Sequence, residues 1–422
     1  MSETQLQPSS KPPCFRADAI AVLKRLRDAG HAAYFAGGCV RDELLGLHPK
    51  DYDVATDAPP KRVRELFSNT QAVGAAFGVI LVRHGKSVVE VATFRTDGKY
   101  LDGRRPSEVT FTTAEEDAKR RDFTINGLFL DPLENHVIDY VGGQEDLKER
   151  VLRAIGNANE RFEEDHLRLL RAVRFASRFG LSIEAGTAAA MRAHFEQLKR
   201  ISPERIAEEL RAMLTSPARH AAYRLLRDFR LLRIILRFIP DAGDPPGLFE
   251  LIGEGTIPFG LALAALVLDA YDGTPLTTPQ IRKASAGLRQ ALKISNEEVE
   301  QFEGSLGFAP LLDEEQPSVA SMKRFLARPT SPLARALMAA LGRFGRFRDR
   351  IEDRLRLLGE TEKTDVAPAP LLTGDDLIAA GWNPGPMFKR VLDQVYDAQL
   401  ESRIATKAQA VELAKQLQTL GS

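Results

Sequence analysis

Apolar and polar residues change rhythm once along this 422-residue chain, near Asn159. Upstream of that point the periods are mixed. FRADAIAVLKRLRDAG (15–30) repeats apolar residues at helical spacing and stops at Gly30, which predicts an amphipathic helix with a glycine C-cap. AAYFA (32–36) is a short apolar run and predicts a buried strand. Gly37-Gly38 end it, and VRDELLG (40–46) restarts a helix. DYDVAT (51–56) alternates as a strand with one face in solvent does. FGVILVR (77–83) and VVEVATF (88–94), joined by HGKS, predict a hairpin. Downstream, Leu, Ala, Arg and Glu take over, so 160–240 and 280–360 read as helices. DAGDPPG (241–247) and TEKTDVAPAP (361–370) are breaks, the second an extended connection. No repeat of fixed period is visible. The pattern predicts an α+β head followed by an all-helical remainder about twice as long.

Composition narrows this picture. The chain is too long for one compact core and suits roughly two to four domains. With 44% hydrophobic and 27% charged residues it is globular in type. No apolar run reaches about 18 residues, so no membrane span is expected. The polar start MSETQLQPSSKPP lacks the apolar core of a signal peptide, and 1–14 reads as a disordered lead-in. Cys14 and Cys39 support neither a disulfide framework nor a cysteine zinc site, and a cytoplasmic location is expected. Lys+Arg and Asp+Glu balance at 58 each, which by itself gives no attraction for a polyanion. Residues 161–240, however, hold 16 basic against 9 acidic residues and form a candidate RNA-facing surface.

The chemistry concentrates in GGCVRDELLGLHPKDYDVAT (37–56). Gly37 and Gly38 sit between strand and helix, where backbone N–H groups approach a phosphate closely. Asp51 and Asp53 lie two apart on the predicted strand, so their carboxylates point the same way. Such a pair repels itself unless a hard divalent cation such as Mg²⁺ lies between. Glu90, a carboxylate in the otherwise apolar VVEVATF, is the candidate third acidic group. Two Mg²⁺ ions so held suit activation of a hydroxyl and departure of pyrophosphate in an in-line displacement.

GG-x-VRD-x-LLG and D-x-D resemble the first motif of the class II CCA-adding enzymes and bacterial poly(A) polymerases. KRRDFTINGLFLD (119–131) is similar to their second motif and DYVGGQEDLKERVLR (139–153) to their third. EEDHLRLLRAVRFASRFG (163–180) is similar to the nucleotide-selecting motif, and SPERIAEEL (202–210) to the fifth. The matches stand in order over 37–210. The resemblance implies a polymerase-beta-type head with a mixed sheet over 15–158, a helical neck over 159–215, a body over 216–360 and a tail over 361–422. It implies catalysis by Asp51, Asp53 and Glu90, with Mg²⁺ on the two aspartates. It places the nucleotide among Gly37, Gly38, Arg41, Arg121, Asp122, Asn126, Asp165, Arg168, Arg171 and Arg174. Asp122 is then an acceptor for a ribose 2′-OH and Arg121 a phosphate donor. Asp165 and Arg168, three apart on one helix, would read the base, with CTP and ATP as substrates and the tRNA 3′ end as acceptor. Glu209 is a candidate lock for a neck arginine.

RTDGKYLDGRRPSEVTF (95–111), with Asp102, Arg104 and Arg105, resembles the family's flexible loop and has its full length, against a CC-only enzyme. LLTGDDLIAAGWNPGPMFKRVLDQVYDAQLESRIATKAQAVELA (371–414) resembles the RNA-contacting tail. Phe77-Gly78-Val79 stands where many relatives have His-Gly-Thr, and no histidine is followed by Asp, so a His-Asp phosphohydrolase domain is not expected. Three activities share these motifs: CCA addition, A addition alone, and poly(A) synthesis. A non-catalytic RNA-binding relative would not need the clustered carboxylates. No membrane and no obligate protein partner are expected.

Overall fold

A computed structural model describes residues 15–74, 77–98, 108–240, 247–345, 347–383 and 385–420. The chain divides into two compact units, Met1–Met213 with Arg224–Ile235, and Leu214–Tyr223 with Leu236–Ser422.

The first unit opens with α1 (Arg16–Asp28), β1 (Ala33–Ala36), α2 (Gly38–Leu44), β2 (Val54–Thr56) and α3 (Pro60–Leu66). Then come β3 (Thr70–Gly74), β4 (Val79–His84), β5 (Ser87–Thr93), β6 (Arg95–Asp97), β7 (Val109–Phe111) and α4 (Ala114–Lys119). Next are β8 (Leu128–Asp131), β9 (His136–Asp139), α5 (Gly143–Lys148) and β10 (Val151–Leu152). Helices α6 (Ala158–Glu164) and α7 (Arg168–Phe179), β11 (Ser182–Ile183), α8 (Ala185–His194) and α9 (Pro203–Leu214) complete the order up to residue 214. Seven strands form one mixed sheet in the order β3-β4-β5-β2-β1-β8-β9. The β2–β5 pair is parallel, while β1 runs antiparallel to both β2 and β8. One face buries Ala36, Ala55, Phe94 and Phe129 against Ala114 and Ala118 of α4. Phe94 and Phe129 meet edge to face at 5.8 Å, a favourable aromatic geometry.

The hairpin of β4 and β5 forms as the sequence predicts. Two boundaries differ. Gly38 is already the first helical residue of α2, and the strand predicted over 51–56 begins only at Val54. Asp51 to Asp53 precede it as an extended lead whose Asp53 carbonyl accepts from the Ala36 N–H. Residues 241–246 of the predicted break, and Asp102, Arg104 and Arg105, lie outside the described residues.

The second unit is helical, with α10 (Arg219–Asp228) spanning the division and α11 (Leu231–Ile235) returning to the first unit. It holds α12 (Leu248–Leu251), α13 (Phe259–Ala270), α14 (Thr278–Leu292), α15 (Asn296–Leu306), α16 (Ala309–Asp313), α17 (Val319–Leu326), α18 (Ser331–Phe344) and α19 (Arg348–Thr361). Helix α13 is buried on every side, which its apolar composition requires. After the extended connection come α20 (Gly374–Ala379), α21 (Pro386–Leu400) and α22 (Lys407–Leu420). These three close on a small core of Leu372, Leu377, Val391, Val395, Ala410 and Ala414. Among the described residues no helix is long and apolar enough to cross a membrane.

Candidate active site

The glycine pair ends β1 and starts α2. Gly37 has φ 70 and ψ −118, a conformation open to glycine and costly for other residues. A Cβ there would also lie 2.6 Å from Nη1 of Arg121. Position 37 is therefore held as glycine by its backbone angle, and any side chain there would push the Arg121 guanidinium aside.

On the neighbouring segment, Tyr52 turns inward against Phe35, with ring centroids 5.0 Å apart. Asp51 and Asp53, on either side of it, are more exposed and both line one cleft of about 650 Å³. The parallel register of β2 and β5 pairs Val54 with Val91. One residue earlier, the same register brings Asp53 level with Glu90, and both line an adjoining recess of about 230 Å³. Among the described residues no three His, Cys, Asp or Glu side chains gather into a metal cage.

Eight arginines and five aspartates line the larger cleft. The excess of three positive charges suits a polyanion, and water exclusion would strengthen that preference. Most of these arginines are held by partners. Asp117, 2% exposed, takes Arg120 at 2.8 Å on one oxygen and Arg121 at 2.9 Å on the other. Burial pushes the Asp117 pKa up, but Arg121 and Arg120 outweigh it and lower it overall. Arg120 also reaches Asp97, which accepts from Arg95 at 3.1 Å. Arg121 lies 5.3 Å from the Phe129 ring centre.

Arg41 is buried. It donates to Asp42 at 2.6 and 2.9 Å and to Asn126 at 2.5 Å, and its guanidinium lies over Phe175 and Phe179 of α7. Asn126 in turn donates to Asp122 at 2.9 Å. Asp122 also accepts from the Phe123 N–H and from Nε of Arg171 at 2.7 Å, and the ion pair brings Nη2 of Arg171 to 2.6 Å. Three hydrogen bonds and the Arg171 ion pair hold the Asp122 carboxylate in place. Through these contacts Asp122 holds the Arg171 guanidinium.

The nucleotide-selecting segment also differs from the single helix expected. Asp165 ends α6 in an extended conformation and α7 starts at Arg168, so the two are not one turn apart on one helix. Arg168 pairs with Glu164 at 2.5 Å instead. Asp165 accepts from the Leu167 N–H at 3.0 Å and from Arg205 of α9 at 2.8 Å. Arg174 is held by Glu209 at 2.6 Å and lies over Phe175. Arg205, Asp117, Arg95 and Asp97 were not among the sequence candidates. The spacing of Asp117 to Arg120 and Arg121, three and four apart, was a legible signal. Arg205 to Asp165 is a contact across forty positions and has none.

A mixed-sheet head with an aspartate pair beside a glycine turn, facing an arginine-lined cleft, defines a nucleotidyltransferase. Residues 33–153 match the family model described as Poly A polymerase head domain, and 180–242 match the probable RNA and SrmB-binding site of polymerase A. The CCA-adding enzyme of Lactobacillus helveticus is 33% identical over 399 residues, covering 93% of this chain and 95% of that protein. That of Geobacillus thermodenitrificans is 44% identical over 219 residues, 52% of this chain and 54% of its own. The Bacillus stearothermophilus CCA-adding enzyme, solved in complex with CTP, superposes with a TM-score of 0.71 at 27% identity, covering 96% of this chain and 98% of that one. The Thermotoga maritima CCA-adding enzyme, solved with tRNA-CCA, shares the fold with a TM-score of 0.65 at 20% identity, over 96% of this chain and 95% of that one. The chain belongs to the CCA-adding enzyme family.

Proposed function

We propose that this protein adds C, C and A without a nucleic-acid template to the 3′ end of tRNA, taking CTP and ATP and releasing pyrophosphate. Near full-length identity to CCA-adding enzymes carries this reading. The cleft supports it, because arginine pairs preset around a space of about 650 Å³ suit a nucleoside triphosphate.

Asp51 and Asp53 fit a hard divalent cation, being two carboxylates on one side of an extended segment around the inward Tyr52. Mg²⁺ held there would lower the pKa of the 3′-hydroxyl and offset charge on the leaving pyrophosphate. Asp51 and Asp53 would hold the ion together with water and triphosphate oxygens, since Mg²⁺ commonly takes only one or two protein carboxylates. Glu90, level with Asp53, is the further acidic group on the same side. The 3′-hydroxyl gives up its proton to solvent, its oxygen bonds to the α-phosphorus, and the bond from that phosphorus to the bridging oxygen breaks, so that pyrophosphate leaves with that oxygen. Arg121, with Arg95 and Arg120 beside it, meets phosphate oxygens. The Gly37 N–H donates to the Leu128 carbonyl at 3.0 Å, so of the two glycine N–H groups expected at the phosphate only that of Gly38, the first residue of α2, serves there. Asp165, fixed by Arg205, presents the edge that distinguishes C from A, with Arg168, Arg171 and Arg174 behind it.

Three tRNA transcripts test the reading, ending before CCA, at C and at CC, each given labelled CTP and ATP. The expected products are CCA, CA and A additions in turn. Absence of CMP on the shortest transcript would leave A addition or poly(A) synthesis as the activity.

A further inference from the structure

The turn between α18 and α19 carries groups that no part of the cleft uses. Phe344 is 38% exposed and Phe347 is 41% exposed, three residues apart. Phe347 has φ 56 and lies two residues after Gly345 at φ 99. A left-handed backbone is unfavourable for a bulky aromatic, and asparagine or glycine would hold it at less cost. Here the strained turn leaves the Phe347 ring 41% exposed at the surface. Arg343 and Arg348 are exposed in the same turn. Arg343 donates to the Leu251 carbonyl at 3.2 Å. Among the described residues neither arginine is paired with a carboxylate, whereas Arg120, Arg121, Arg168, Arg171, Arg174 and Arg205 of the cleft each are. Residues 343–350 hold four arginines against one aspartate.

Exposed rings interleaved with available guanidinium groups fit an unpaired stretch of nucleic acid, whose bases stack and whose phosphates take the charge. A purely apolar protein partner would not call for the arginines. We propose that this turn is a second RNA-contact surface, in which Phe344 and Phe347 stack on unpaired bases of the substrate RNA and Arg343 and Arg348 meet adjacent phosphates. The proposal rests on the reading that the substrate is RNA.

Full-length protein is titrated into a labelled tRNA transcript ending before CCA, at several salt concentrations, by fluorescence anisotropy. Phe344→Ala with Phe347→Ala weakens binding about fivefold or more and leaves the salt slope unchanged. Phe→Leu at both positions keeps apolar bulk but removes the rings, and weakens binding in the same direction. Arg343→Gln with Arg348→Gln lowers the salt slope by about one to two. All variants keep the CTP KM and kcat of the parent at saturating RNA, which also shows that they fold. Parent-like affinity in the aromatic variants overturns the proposal, as does a change in oligomeric state without a change in RNA affinity. A parent protein that binds the transcript but never extends it sinks the proposed activity and leaves this surface to be judged by affinity alone. A parent that does not bind RNA overturns both.

Discussion

At Asp122 three N–H donors and the Arg171 ion pair converge on two carboxylate oxygens. Its contribution is to hold Arg171, and through Asn126 to hold Arg41. Gly37 shows the same economy, since one absent side chain leaves room for the Arg121 guanidinium. Gly37→Ala is predicted to cost about 1–3 kcal/mol in backbone strain and to displace Arg121. The expected reading is a loss of roughly tenfold or more in kcat/KM for NTP, since each 1.4 kcal/mol is about tenfold. Parent-like kinetics would show that Arg121 has no part in triphosphate binding. Arg205→Ala frees Asp165, and Asp165→Ala removes the edge itself. Both should narrow the preference between CTP and ATP, by roughly tenfold, in competition assays with a transcript ending before CCA. An unchanged ratio in both variants would remove base reading from Asp165.

Helix α7 is the element on which most of the site depends. One face carries Arg168, Arg171 and Arg174, and the rings of Phe175 and Phe179 receive Arg41. Its arginine stripe and amphipathic spacing were legible in the sequence, because side chains three and four apart share a face. The interruption at 165–167 was not legible, because it depends on Arg205 arriving from α9. Likewise the hairpin of β4 and β5 could be read from alternation, but the parallel approach of β2 to β5, which levels Asp53 with Glu90, is a non-local pairing. The ion pair joining α7 to Asp122 gives a pH prediction. Burial alone would raise the Asp122 pKa, but Arg171, Asn126 and Arg168 outweigh it and hold it at about 2. The unfolded carboxylate titrates near 3.9. The folded value is the lower one, so ionised Asp122 stabilises the fold fully above about pH 4 to 5 and loses this effect as pH falls towards 2. Asp122→Asn should cost on the order of 2–3 kcal/mol at pH 7, below the usual range for a broken buried pair because Arg171 is 34% exposed. In urea unfolding, the gap between parent and variant should shrink between about pH 4 and pH 2. A gap constant over that interval would contradict the assignment.

Across the whole molecule, the α+β head and the helical remainder were both visible in the change of rhythm near Asn159. Physical chemistry alone reaches the aspartate pair, while the arginines of the site and the identity of the RNA come from kinship with CCA-adding enzymes. The claim common to every scale is that nucleotidyl transfer occurs at Asp51 and Asp53. Single-turnover incorporation of labelled CMP into a tRNA transcript ending before CCA measures it directly, with RNA affinity recorded in parallel. Asp51→Ala and Asp53→Ala should each slow incorporation by on the order of 10³-fold or more, the scale of several kcal/mol of metal-assisted stabilisation, while RNA affinity stays within about twofold. Incorporation at the parent rate in both variants would contradict the account.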